Sequence, residues 1–332
     1  MTELLPIIWY VIICAELALY IMLDGANLGV GILTLIPQKE KVRARILDTL
    51  GPIWNANETW LLVAAGTLFG AFPLAYSVGL NALYVPGVIV LVGLALRAVS
   101  FEFHSLARKK QFWSFLFGFG SLITVVGQGA MLGGLVSGIP VVEGVFAGTA
   151  FGFLTPITVL MVIGTVGSYL VLGYAYLIKR MDYENAKESF RDLLLSVGLT
   201  FLALLSATFF LPNTSYVFFE RWTTAPSMYY LIAIGLGIAV TGLLLGISVL
   251  TGKLHKHLHT MCLIIFGLGF VGMLIGTYPY LLPPSVTLFE AASPSNTLQF
   301  MLWGIGPILP IILVYNFYLH RIFSRRGEEE AY

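Results

Sequence analysis

The chain has 332 residues, of which 58% are hydrophobic and only 11% are charged, whereas soluble domains carry about 25% charged residues. That composition excludes an ordinary soluble domain and describes a polytopic membrane protein. A net charge near +1 with no basic face excludes a nucleic-acid partner, and two cysteines inside apolar runs, Cys14 and Cys262, suggest neither a disulfide nor a metal site.

Nine apolar stretches have spanning length, at roughly 4–36, 52–76, 81–103, 112–136, 152–178, 192–212, 227–250, 260–282 and 298–320. The predicted fold class is all-α, with short connections that make sequential spans antiparallel neighbours. The simplest arrangement is two four-helix bundles, 1–136 and 137–282, followed by a peripheral last helix and a cytoplasmic tail, 283–332. The first stretch is too long for a signal-peptide core, and no small-residue cleavage site follows it, so it is predicted to remain as a span.

Within the first span Glu16, Tyr20 and Asp24 recur at every fourth position and form one polar stripe, its carboxylates roughly 12 Å apart along the axis. Such a stripe faces protein or water rather than lipid. Gly25, Gly29 and Gly31 read as positions where another helix approaches closely.

The second span opens on Gly51-Pro-Ile-Trp54-Asn55-Ala-Asn57-Glu58-Thr-Trp60 and is predicted to run unbroken through Pro73. Pro52 suits a first helical turn, and Glu58 then lies about 10 Å along a membrane helix. An ionisable group at that depth is costly unless partnered, so Glu58 is a functional candidate by default. The tryptophans also fit an interfacial aromatic belt, which does not account for Glu58.

The third span ends on Arg97-Ala-Val-Ser100-Phe-Glu102-Phe-His104. Arg97 is either a snorkelling cation or a buried partner for an acid. Arg97 and Glu102, five apart, sit about 140° from each other around a helix and cannot pair directly. Glu58 with Arg97 is the pairing the topology favours. Ser100 and Glu102, with Trp54, Asn55, Asn57 and Arg97, form the predicted polar surroundings of the acids.

All five histidines, His104, His255, His257, His259 and His320, fall at span ends or in a loop, so the usual axial ligation of a haem in the bilayer core is not supplied. The Lys253-Leu-His-Lys-His-Leu-His259 tract reads as a basic loop rather than a metal tract. Sixteen of the 18 Lys and Arg residues fall in alternate connections and the tail; the other connections hold only Arg221, and Arg97 is intramembrane. By the positive-inside bias the N-terminus is predicted outside and the C-terminus cytoplasmic, in a prokaryotic inner membrane.

Leu23-Asp-Gly-Ala-Asn-Leu-Gly-Val-Gly31, Trp54-Asn-Ala-Asn-Glu-Thr-Trp60, Ala71-Phe-Pro-Leu-Ala-Tyr76 and Arg97-Ala-Val-Ser-Phe-Glu102 together resemble the signature segments of subunit II of the cytochrome bd-type quinol oxidases. The resemblance is dense over about the first hundred residues. It implies a heterodimer in which a homologous subunit I holds haem b and haem d, oxidises quinol and reduces O2 to water. Subunit II then holds no haem or metal of its own and performs no catalysis alone. It completes the complex and carries protons inward from the cytoplasm, here through Glu58, Asp24, Glu16 and Tyr20. A small single-span accessory subunit, a lipid or a quinone are further partners the resemblance admits. One departure stands out: the family's second-span motif reads Trp-Asp-Gly-Asn, whereas this chain has Asn55 and Ala56. An amide does not exchange protons near neutral pH, and Glu58, one turn on, is placed to take over that role. A secondary transporter with intramembrane carboxylates and a purely structural subunit remain the alternatives.

Overall fold

The computed structural model describes residues 4–36, 43, 46–47, 50, 54–108, 110–180, 183–251 and 257–329. Helix α1 (Leu4–Leu33) is followed by α2 (Trp54–Ala71), α3 (Pro73–Ala82), α4 (Tyr84–Leu106) and α5 (Lys110–Ser137). A hairpin of β1 (Val141–Val142) and β2 (Val145–Phe146) leads to α6 (Pro156–Arg180), α7 (Tyr183–Thr214), α8 (Tyr216–Thr223), α9 (Ser227–Thr251) and α10 (Leu258–Thr277). A second antiparallel hairpin, β3 (Tyr280–Leu282) with β4 (Val286–Thr287), precedes α11 (Leu288–Ala291), α12 (Ser295–Ile305) and α13 (Ile308–Glu329). Among the described residues, eight helical segments are long and apolar enough to cross a membrane.

The predicted second span differs from its expectation in two ways. Polar residues in its first turns hold α2 below the apolarity of the other eight, and its helix stops at Ala71 instead of running through Pro73. Proline disfavours the helical conformation in the residue before it, and Phe72 accordingly sits at φ −135°, ψ 63° before the helix restarts as α3. The last span is likewise interrupted, at Gly306-Pro307, between α12 and α13. The eighth predicted span, α10, ends at Thr277, before Tyr278-Pro279, earlier than the sequence pattern predicts.

Helices α1, α5 and α6 pack at the centre, and one apolar core containing Leu28, Val125, Leu172 and Cys262 joins them to α9 and α10. Gly29 makes the closest crossing: a Cβ there would overlap the Tyr169 carbonyl of α6, and one at Gly173 would lie 2.6 Å from the Gly29 carbonyl carbon. At one pole the connections interlock. Ile139 N–H donates to the Pro283 carbonyl (3.0 Å), Ser285 Oγ to the Ile139 carbonyl (2.7 Å) and Trp9 Nε1 to the Leu298 carbonyl (3.0 Å).

Candidate functional site: a buried arginine between two carboxylates

The fork of Arg97, on α4, closes on Asp24 of α1. Nη1 donates to Oδ2 and Nη2 to Oδ1, each at 3.2 Å, while Nη1 also reaches Glu58 Oε1 of α2 at 3.0 Å. Arg97 and Asp24 are fully buried, and the Glu58 side chain is 17% exposed. The guanidinium carbon lies 5.6 Å from the Phe117 ring centroid of α5, so an aromatic face covers the cation. Four helices thus meet at one charge cluster, and Arg97 is a buried partner rather than a snorkelling side chain.

The pair of bonds to Asp24 uses both terminal nitrogens of the fork, a geometry that guanidinium supplies and ammonium does not. Glu58 touches Arg97 through a single oxygen, and its Oε2 has no partner among the described residues. Asn57, one residue earlier and buried, donates from Nδ2 to the Leu23 carbonyl at 3.2 Å and ties α2 to α1 beside the cluster.

Tyr20 and Glu16 lie on the same helix but join other groups. The Tyr20 hydroxyl accepts from Gln128 Nε2 of α5 at 2.5 Å, and Gln128 Oε1 accepts from the Tyr169 hydroxyl of α6 at 2.9 Å. Glu16 Oε2 accepts from Thr67 Oγ1 of α2 at 2.5 Å, and its other oxygen is buried without a partner. No hydrogen bond among the described residues links Asp24 to Tyr20 or Tyr20 to Glu16, so the stripe divides into three separate polar groups. Thr67, Gln128, Tyr169 and Phe117 were not singled out in the sequence, because an uncharged polar or aromatic residue in an apolar run gives no signal of its own.

Ser100 and Glu102 stand apart from the carboxylates. With Leu47, His104, Trp113 and Phe117 they line a cavity of about 160 Å³, which meets the arginine site at Phe117. Ser100 donates to the Leu96 carbonyl on its own helix, and Glu102 is exposed. The side chains of Trp54 and Asn55, and residues 51–53, lie outside the described residues, as do His255 and the side chain of His320. Among the described residues, no group of three His, Cys, Asp or Glu side chains converges as a metal site does.

The family model described as cytochrome bd terminal oxidase subunit II matches residues 5–323. This chain belongs to that family. A subunit II relative, the cytochrome bd-I ubiquinol oxidase subunit 2 of Escherichia coli (strain K12), is 24% identical over 99% of this chain and 97% of its own length. The cytochrome bd ubiquinol oxidase subunit 2 of Bacillus subtilis (strain 168) is 36% identical over 40% of this chain and 41% of its own. In fold, the chain is similar to a chain of the bd oxidase from Geobacillus thermodenitrificans, with a TM-score of 0.79 at 20% identity over 96% of this chain and 98% of that one. As a bd oxidase subunit II, the protein is a multi-pass membrane component of a respiratory oxidase, and the family name implies a subunit I beside it.

Proposed function

We propose that this subunit completes a quinol-oxidising, O2-reducing complex whose haem b and haem d lie on subunit I, and that its Arg97 cluster takes protons from the cytoplasm toward those haems. The observation that carries the reading is the unequal grip of Arg97 on its two acids. With both carboxylates ionised the cluster has a net charge of −1 in the membrane interior, which is unfavourable. Asp24 spends both oxygens on the fork. Glu58, with one oxygen free and partial exposure, is the member placed to take up and release a proton. The cavity lined by Ser100, Glu102 and His104 has room for several waters and supplies an approach from the cytoplasmic end.

Glu16 with Thr67, and Tyr20 with Gln128 and Tyr169, are onward groups that exchange protons only when water joins them to the cluster. The 1–136 unit then carries the proton route except for Tyr169, which 137–282 contributes, while the rest of 137–282 and 283–332 supply the packing against it. The basic connections support a cytoplasmic C-terminus and an outside N-terminus.

The test is Glu58→Gln in the complex purified through a tag on this chain. The expected result is an unchanged haem spectrum and unchanged assembly, with quinol oxidation and proton uptake slowed by roughly tenfold or more. Unchanged turnover together with unchanged proton uptake assigns Glu58 to structure and removes the proposal.

A further inference from the structure

At the pole away from the arginine cluster, α1, α8, α9 and α10 enclose a second crevice, of about 310 Å³, lined by Arg221, Ser227, Tyr10, Tyr230, Leu274 and Tyr278. Tyr10 precedes Asp24 by fourteen residues, which places the crevice roughly 21 Å along α1 from the charge cluster. Arg221 is the only basic residue in the connections of this side. It forms no ion pair or hydrogen bond among the described residues, and the adjacent Glu220 makes none with it. The Tyr10 hydroxyl is also unsatisfied: it is buried near Thr277 and Cys14 without a hydrogen bond of good geometry to either.

A half-buried cation with no acid paired to it, among phenols at the ends of three spans, matches an anionic headgroup at the membrane interface. Guanidinium binds phosphate through paired N–H donors, and tyrosines favour the headgroup level of a bilayer. Within the crevice, α10 presents Val271 (45% exposed), Leu274 and Ile275, an apolar track at three- and four-residue spacing. That track suits an acyl chain, and a phosphate alone leaves it unused.

We propose that this crevice binds one anionic glycerophospholipid, its phosphodiester on Arg221 and its headgroup among Tyr10, Tyr230 and Tyr278, with an acyl chain along α10. The site is separate from the proton reading and stands or falls without it. The crevice is a seam between α1 and the α8–α10 group, so the lipid fastens one to the other.

The test is native mass spectrometry of the intact complex, delipidated and titrated with phosphatidylglycerol or phosphatidylcholine. Basic residues at the opposite pole also attract anionic lipid, so the readout is the difference between the unaltered complex and Arg221→Gln. Losing a charge-assisted bond should lower the apparent affinity of one phosphatidylglycerol by about tenfold, leave phosphatidylcholine binding unchanged, and be largely repaired in Arg221→Lys. Equal phosphatidylglycerol binding in the unaltered complex and Arg221→Gln overturns the proposal. So does displacement of that lipid by millimolar inorganic phosphate, which marks a free-anion site. Arg221-dependent retention of a quinone, with no Arg221-dependent phospholipid, also overturns it and gives the crevice to a different ligand.

Discussion

Asp24 and Glu58 hold the same cation in different ways, and their amides should therefore fail differently. Asp24→Asn replaces one acceptor of the Arg97 fork with a donor, so it should weaken the junction of α1 and α4 even though Glu58 remains in contact. Arg97→Gln goes further, stranding two carboxylates in the interior; breaking a buried pair from one side costs about 3–5 kcal/mol. The expected order of assembled complex, measured as haem per tagged subunit after mild extraction, is unaltered and Glu58→Gln highest, Asp24→Asn lower, and Arg97→Gln lowest. A Glu58→Gln variant that assembles as poorly as Arg97→Gln would contradict the unequal roles. The pairing of Glu58 with Arg97 was legible in the sequence, because an intramembrane acid and an intramembrane base at similar depth need each other. The dominant partner, Asp24, was legible only as part of a stripe. Residues four apart rotate by about 40° around a helix, so over Glu16, Tyr20 and Asp24 the stripe turns far enough to face α2, α5 and α4 in succession. Spacing along α1 marks that turn and does not say which neighbour stands at each angle.

At the scale of elements, the close crossing of α1 and α6 rests on two glycines facing each other. Gly29→Ala directs a methyl into the Tyr169 carbonyl, and no side-chain movement relieves a clash with backbone. Overpacking typically costs about 1–3 kcal/mol, so Gly29→Ala should visibly lower the melting temperature of the complex. Gly242→Ala, on α9 with open space around its Cβ, should leave it unchanged or slightly raised through better helix propensity. Equal effects would show that α1 and α6 can separate without loss. The glycine cluster in the sequence predicted a close approach but not the element approached. Helix ends were legible where proline sets them in principle, yet Pro73 lies in an apolar run whose hydropathy continues across it, and the hydropathy masked the break. A smaller device closes the outer hairpin. Thr287 accepts from Glu290 N–H, and Glu290 accepts from the Thr287 N–H and hydroxyl. These bonds, the backbone one first, hold the Glu290 carboxyl below its ordinary 4.5. A depressed carboxylate stabilises fully above the unfolded value and loses that contribution as pH falls through the lower folded value. Hydrogen-exchange protection of 286–291 should therefore drop in the unaltered chain as pH falls below the carboxyl's ordinary 4.5 and show no such step in Glu290→Gln, where the amide still caps but does not titrate.

For the whole molecule, charge and architecture point to one orientation. The interlocked pole contains the β1–β2 hairpin, the β3–β4 hairpin, α11 and the start of α12, and these connections carry no Lys or Arg. Structured connections without a basic residue suit the side away from the cytoplasm, while the connections at the other end hold most of the basic residues. The Arg97 cluster lies toward that basic end, the side from which the proposed route takes up protons, and the Arg221 crevice at the interlocked end. Reporter fusions after residues 43, 108, 187 and 256 should accordingly report cytoplasm, and those near 143, 220 and 290 the outside. The fusion near 143 discriminates most, since the hairpin there is pinned to 283–285 and the two must share a side. If 143 and 290 reported the cytoplasm while 108 and 187 reported the outside, the Arg97 cluster would face the wrong compartment for proton uptake, and the proton route proposed through Glu58 would fall with the orientation. If 143 and 290 disagreed, a span would be missing or added between α5 and α11, against the continuous helices seen there.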